Sequence, residues 1–342
     1  MNIADSLNQV ANGSHLTADQ ARTVFGQIMA GELSPPQIAG ILMALRTKGE
    51  VAEEVTGAAL AMRDASTKVN VDVPNLVDTC GTGGSGTNKL FNVSTAAAFV
   101  AAAGGAHVAK HGNRGASSGS GSADLLEEAG VSLDHSPEQI GRCIEETGLG
   151  FLFAQVHHTA MRHAGPIRQA LGVRTIFNML GPLTNPASVR QQVIGTFSLD
   201  AQALIVRAAK NLGSDHVLTV HANGLDEFSI EGPTHVAELK NGEISEFTVR
   251  PSDFGLSEYS SDSLKAQTPT ESLALVKQAL SSDENPAARD LVAMNAGAAL
   301  YVSGITTDFQ RGVDLALDLI STGQANEKLK ELVDFSKTLS SY

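Results

Sequence analysis

Leu76-Val-Asp-Thr-Cys-Gly-Thr-Gly-Gly-Ser-Gly86 passes from a short β-prone run into a glycine-rich loop. A helix is expected to follow from Ser94 into the Ala-rich run Ala96 to Ala106. The next β-prone run, His107-Val-Ala109, enters a second loop of the same kind, Lys110-His-Gly-Asn-Arg-Gly-Ala-Ser-Ser118. Glycines let the backbone approach a ligand closely and turn its N–H groups inward, so such a loop can cradle phosphate oxygens. Two of them point to a ligand with two phosphate ends.

Outward from these loops the alternation continues. Gly150–Ala154, Gln192–Phe197 and His216–His221 read as further strands, with helices from Ser136-Pro137 and Asp200 between them. Strand–helix alternation predicts a largely parallel sheet covered on both faces. Val236–Val249 reads as a hairpin turning at Asn241-Gly242, and three helices are expected beyond it, from Thr270, Pro286 and Asp308. The first seventy residues read as helices alone. Thr17–Gln20 and Ser34–Gln37 fit N-terminal capping, Gly31 and Gly49 mark helix ends, and Val24, Ile28, Ile38, Ile41, Leu42 and Leu45 keep helical spacing. The expected fold is therefore α/β: a small all-helical domain, 1–70, and a large domain, 71–342, whose mostly parallel central sheet is flanked by helices. A helical segment at about 160–185 is expected to join the small domain.

Composition narrows the function. The chain is 42% hydrophobic and 18% charged, which is globular. A net charge of -13 and no Lys/Arg run give no footprint for a nucleic-acid backbone, so no nucleic-acid partner is expected. Cys80 and Cys143 are too few for a disulfide framework and read as reduced thiols. The N-terminus lacks a secretory pattern, and the longest apolar run falls short of the roughly 18 residues of a membrane span. A cytoplasmic protein with no membrane partner is expected.

Gly81-Thr-Gly-Gly-Ser-Gly86 satisfies two familiar patterns by letter, and context opposes both. A dinucleotide loop opens directly into a helix and is followed by an acid at the end of the second strand. Here the helix is delayed to Ser94 and the second strand is expected to end in Lys110. A Walker loop ends in Gly-Lys-Ser/Thr, whereas Gly86 precedes Thr87. The neighbours are more informative. Asn92-Val-Ser-Thr95 opens a helix, where free N–H groups and a positive partial charge favour an anion, although Ser94 and Thr95 also suit ordinary caps. Asp226-Glu227 follows a strand and supplies two carboxylates; a solvent-facing pair is the ordinary reading, and a phosphate-rich ligand shifts it towards Mg²⁺. His157, His158 and His163 match no zinc spacing.

In this order the segments Gly81-Thr-Gly-Gly84, Asn92-Val-Ser-Thr95, Lys110-His-Gly-Asn-Arg114, Ser120-Gly-Ser-Ala-Asp124, Arg174-Thr-Ile-Phe-Asn178, Gly181–Pro186 and Asp226-Glu227 resemble the anthranilate phosphoribosyltransferase family of tryptophan biosynthesis. The resemblance spans essentially the whole chain, and its most specific parts are Lys110–Arg114 and Arg174–Asn178. It implies a homodimer through the helical domain. The implied reaction joins the anthranilate amine to ribose C1 of phosphoribosyl diphosphate (PRPP), releasing diphosphate. By the same likeness Gly81, Gly84, Ser85, Asn92, Val93, Ser94 and Thr95 would contact PRPP. So would Lys110, His111, Gly112, Asn113, Arg114, Gly115, Ala116, Ser117, Ser118 and Ser122. Gly81, Asn113 and Arg168 would address anthranilate, and Ser94, Asp226 and Glu227 would ligate Mg²⁺, two ions per subunit. No acid/base residue is expected, because the amine is already neutral at pH 7. Ser85 stands where the family loop commonly carries Asp, and Thr159 where many relatives have Pro.

Two rivals share the architecture. A pyrimidine nucleoside phosphorylase would carry Lys-His-Ser-Thr-Gly-Gly in place of Lys110–Arg114, and a non-catalytic nucleic-acid-binding relative would carry a basic groove.

Overall fold

The computed structural model describes residues 2–83, 89–115, 119–281 and 284–339. Helices α1 (Ile3–Ala11), α2 (Ala18–Ala30), α3 (Pro35–Lys48) and α4 (Ala52–Asp64) come first. Thr17 and Gln20 exchange hydrogen bonds across the start of α2, at 3.2 and 2.9 Å. Helices α2 and α3 stop at Gly31 and Gly49, whose φ values of 75° and 89° lie where a Cβ is penalised. Val24, Ile28, Ile38, Ile41, Leu42 and Leu45 are at most 1% exposed, so the predicted stripe is the bundle core. Buried Glu54 braces that bundle. It accepts from the Leu16 and Val51 amides at 2.9 and 3.0 Å and pairs with Lys48 at 3.0 Å.

Strand β1 (Leu76–Asp78), helix α5 (Val93–Ala103), strand β2 (His107–Gly112), helices α6 (Ser122–Glu128) and α7 (Pro137–Thr147) and strand β3 (Leu149–Phe153) follow. Helices α8 (Ala154–His157), α9 (Gly165–Leu171) and α10 (Phe177–Leu183) then lead to β4 (Gln191–Gly195), α11 (Leu199–Asn211) and β5 (His216–His221). Strands β6 (Thr234–Lys240) and β7 (Glu243–Val249) form the hairpin, with positive φ at Asn241 and Gly242 as its tight turn requires. Helices α12 (Pro269–Ala279), α13 (Pro286–Val302), α14 (Phe309–Ser321) and α15 (Gln324–Leu339) end the chain.

The strand order is β3-β2-β1-β4-β5-β6-β7, parallel through β5 and antiparallel beyond. Neighbouring residues serve opposite faces, as the two-residue period demands. Val193 and Leu218 pack with α5 and α13, whereas Ile194 and Val217 pack with α11 and the helical bundle. The latter core also takes in Ala164, Ile176, Phe177, Leu180 and Leu183, so the segment containing α9 and α10 packs against the bundle.

Two expectations change. Strand β2 continues to Gly112, so Lys110 and His111 are strand residues, held there by pairing with Phe151 and Leu152 of β3. Their polarity reads as a loop only because the groups that bury them come from elsewhere in the chain. A fourth C-terminal helix, α15, also exists; Ala325, Leu329, Leu332 and Leu339 form its buried stripe within an otherwise charged segment.

Candidate active site

The chain reverses its direction of travel across the sheet between β1 and β4, and the carboxyl ends of parallel strands at such a point leave a crevice. Asp226, arriving after β5, runs into it. Its backbone oxygen would sit 1.6 Å from a Cβ on Gly195, and its carboxylate 2.6 Å from a Cβ on Gly81. Only glycines admit this approach, which is why the loop after β1 is glycine-rich at that point. The Asp226 carboxylate accepts from the Gly83 amide at 2.8 Å, and Glu227 accepts from the Ser94 amide at 3.3 Å. Ser94, Asp226 and Glu227, far apart in sequence, thus converge.

A cavity of about 10 Å³, room for roughly one water, lies among Thr79, Gly81, Ser94, Gly195 and Glu227. Withdrawal from solvent, and then the neighbouring Asp226 charge, push the Glu227 carboxyl up to about 8. Two adjacent carboxylates that resist joint ionisation suit a dication. Among the described residues no three His, Cys, Asp or Glu side chains gather into a cage. Two carboxylates and a hydroxyl make a half-shell, which is how Mg²⁺ is held when phosphates and waters complete its coordination.

Beneath the first loop lies a buried polar network. Lys110 is 3% exposed and donates to the Thr79 carbonyl at 2.6 Å, so its ammonium is tied under the first loop. Asp78, fully buried, accepts from the His111 amide at 3.1 Å and from the Asn185 side chain at 2.8 Å. Burial nonetheless raises its carboxyl to about 6. Asn185 also donates to the Ala109 carbonyl, which pins the Gly181–Pro186 segment to β2.

The remaining expected phosphate contacts divide. Asn92 caps α5, and its Oδ1 accepts from the hydroxyls of Ser120 and Ser272 at 2.8 and 2.7 Å. Thr95 ends in a buried hydroxyl without a partner among the described residues, whereas the Val93 side chain is fully in the core and leaves only its backbone for a ligand. Gly112 lies so close to Ser122 that a Cβ would meet its hydroxyl at 2.1 Å. Arg114 is paired with Asp124 and Glu127, and Asp124 also accepts from the Gly115 and Gly121 amides, both at 2.8 Å. Gly84, Ser85, Ala116, Ser117 and Ser118 lie outside the described residues.

The third group is built around α10. Arg168, half-buried on α9, holds its guanidinium carbon 5.2 Å from the Phe177 ring centre, and no carboxylate among the described residues pairs with it. Burial lowers its pKa. His111 Nδ1 lies 3.1 Å from the Gly181 carbonyl, and its ring lies 5.1 Å from that of His158. The Nε2 atoms of both rings are buried and have no partner among the described residues. Burial lowers the two imidazoles to about 3 and about 4, so both are neutral at pH 7. Asn113 accepts from the Gln155 side chain at 3.3 Å, which links the end of β2 to α8.

Sequence reasoning missed Asp78, Asn185, His158, Ser120 and Ser272. Ser120 and Asn185 lay within segments quoted for the resemblance without being singled out, and Asp78 offered a further signal, a carboxylate at the end of an otherwise apolar strand.

Family models agree with this organisation. Residues 4–66 match the helical bundle domain of a glycosyl transferase family, and residues 73–326 match its a/b domain. The anthranilate phosphoribosyltransferase of Saccharophagus degradans is 52% identical over 340 residues, covering 98% of this chain and 99% of that one. The crystal structure of the Thermus thermophilus anthranilate phosphoribosyltransferase superimposes with a TM-score of 0.92 at 44% identity, covering 97% and 99% of the two chains. The enzyme from Saccharomyces cerevisiae, in complex with PRPP and Mg, gives 0.88 at 28% identity, with 98% of each chain covered. The chain therefore belongs to the anthranilate phosphoribosyltransferase family.

Proposed function

We propose that this site transfers the phosphoribosyl group of PRPP to the amine of anthranilate, with the residue roles that follow. The observation that carries the assignment is the convergence of Gly81, Ser94, Asp226 and Glu227 on one crevice.

Displacing diphosphate from an anomeric carbon builds oxocarbenium character on ribose and negative charge on the leaving group. Positioning and charge stabilisation therefore matter more than a protein nucleophile. Ser94, Asp226 and Glu227 would hold Mg²⁺, two ions per subunit, and the metal when bound supplies the positive charge that offsets the leaving diphosphate. Amides at the start of α5 and in the two glycine-rich loops bind phosphate oxygens, and Asn92 donates through Nδ2. Arg168 takes the anthranilate carboxylate, because a planar guanidinium suits two-point recognition and this one has no competing acid among the described residues. Asn113 and Gly81 complete that pocket, against which the neutral His111 and His158 rings can stand without adding charge beside the attacking amine.

The protein acts as a cytoplasmic homodimer through its helical domain, a state that light scattering measures directly. No helix among the described residues is long and apolar enough to cross a membrane. The main test is loss of anthranilate fluorescence on adding PRPP and Mg²⁺. Folded protein that shows no turnover overturns the reading.

A further inference from the structure

The stretches that follow the two glycine-rich loops, 89–92 and 119–122, are joined by a part of the chain that carries no recognisable motif, 264–272. Its contacts with them are numerous and specific. The Phe91 amide donates to the Leu264 carbonyl at 2.9 Å, and Leu90 pairs with Lys265 as an antiparallel bridge. Just after the second loop, a Cβ at Gly119 would lie 1.6 Å from the Gln267 carbonyl oxygen, so that glycine exists for this approach. Thr268 and Glu271 then fix the start of α12: Thr268 accepts from the Glu271 amide at 3.2 Å, and Glu271 accepts from the Gln267 amide at 2.7 Å.

One turn into that helix stands Ser272, which is fully buried. Its Oγ accepts from the Asn92 amide at 3.0 Å and donates to Asn92 Oδ1 at 2.7 Å. Ser120, just after the second loop, donates to the same oxygen at 2.8 Å. Among the described residues the Ser272 hydroxyl proton has no other acceptor. A side-chain amide has one accepting end and one donating end. With Oδ1 saturated by two hydroxyl protons, Nδ2 is the donating end; one of its protons meets the Ser120 carbonyl at 3.5 Å, the other is left for a ligand, and phosphate oxygens only accept.

We propose that Ser272 is a positioning residue for PRPP. It fixes which end of the Asn92 amide faces the ligand, and with the rest of 264–272 it holds the stretches 89–92 and 119–122 in register. This rests on the reading of Asn92 as a PRPP contact. Without Ser272 only Ser120 holds the amide in this sense, and it turns more readily to present an oxygen to an anion.

Steady-state kinetics of the full-length enzyme, with KM determined separately for each substrate, test this. Ser272→Ala is expected to raise KM for PRPP about 10-fold, the scale of one aligned hydrogen bond, with KM for anthranilate unchanged and kcat within about 2-fold. Ser272→Thr, which keeps the hydroxyl, restores the parent value. Ser272→Cys, close in size and a weaker donor, raises KM for PRPP by an intermediate factor and serves if the alanine variant does not fold. Asn92→Asp keeps both hydroxyl partners and removes the donating end, so it is expected to raise KM for PRPP at least as much. If Asn92→Asp is impaired while Ser272→Ala binds PRPP as the parent does, the role of Ser272 is overturned and the reading of Asn92 stands. A parental KM for PRPP in Asn92→Asp overturns that reading instead. Equal increases in both KM values with a lowered Tm assign Ser272 a structural role only and overturn the proposal.

Discussion

Asp226 and Glu227 reach the site already bonded to backbone amides, whereas His111 and His158 reach theirs with a buried ring nitrogen that bonds to nothing among the described residues. The first side is assembled from charge and fixed dipoles, and glycines at 81 and 195 let its parts touch. The second is assembled from neutral rings around α10, with one cation at Arg168. The difference suits the two kinds of ligand proposed for this site. A polyanion is met by groups whose orientation is settled beforehand, which avoids reorganisation as charge develops. A flat aromatic acid is met by a surface with hydrogen-bonding capacity held in reserve.

Breaking the charged side should cost most. Asp226→Ala or Glu227→Ala is expected to lower kcat/KM about 10³-fold at saturating Mg²⁺, equivalent to several kcal/mol of lost charge stabilisation. An effect under 10-fold in both variants would remove the carboxylates from the mechanism. Next, Lys110→Met leaves the Thr79 carbonyl without its donor and Asp78 without its nearby cation. Denaturant unfolding should show about 3 kcal/mol less stability, the usual cost of stripping one partner from buried charges. Unchanged stability would mean that the network is not energetically coupled.

The aromatic side should respond more gently and with a different signature. Arg168→Ala is expected to raise KM for anthranilate about 30-fold while leaving KM for PRPP alone, as the loss of one charge-assisted contact predicts. An unchanged KM for anthranilate would sink that assignment. The smallest effect is on pH dependence. Burial lowers the His158 pKa from 6.5 to about 4, so between those values the unfolded chain binds a proton that the folded one does not. The His158 contribution to stability must therefore fall as pH falls through this window, by about 1 kcal/mol between pH 7 and 5.5. Substituting His158→Gln should flatten the slope by that amount; an identical slope would show that the imidazole is not held neutral by the fold.

The same contrast divides what could be read beforehand from what could not. Local signals carried the fold: Thr17 and Ser34 start helices, Asn241-Gly242 turns the hairpin, and glycines announce the loops. They failed where burial is decided at a distance. Lys110 and His111 look like loop residues, yet Asp78, Asn185 and the Thr79 carbonyl supply the polar partners that make a buried strand tolerable there. The charged half of the site was legible because its chemistry is clustered in short motifs. The neutral half was less so, since His158 becomes informative only when its ring is seen against His111. Ser272 carries no local signal at all, being an ordinary serine in an ordinary helix.

The position of Ser272 also bears on how the protein is made. It lies 180 residues beyond Asn92, the residue it holds. At roughly 5–20 residues per second on the ribosome, the strands that carry both glycine-rich loops are synthesised about 9–36 s before this partner exists. By the end of that interval the nascent chain holds all the strands from β1 to β7 but not the helix that closes the seam beside Asn92. The site is thus a late event in biosynthesis, and a chain truncated before α12 would keep the signature motifs without the part that aligns them.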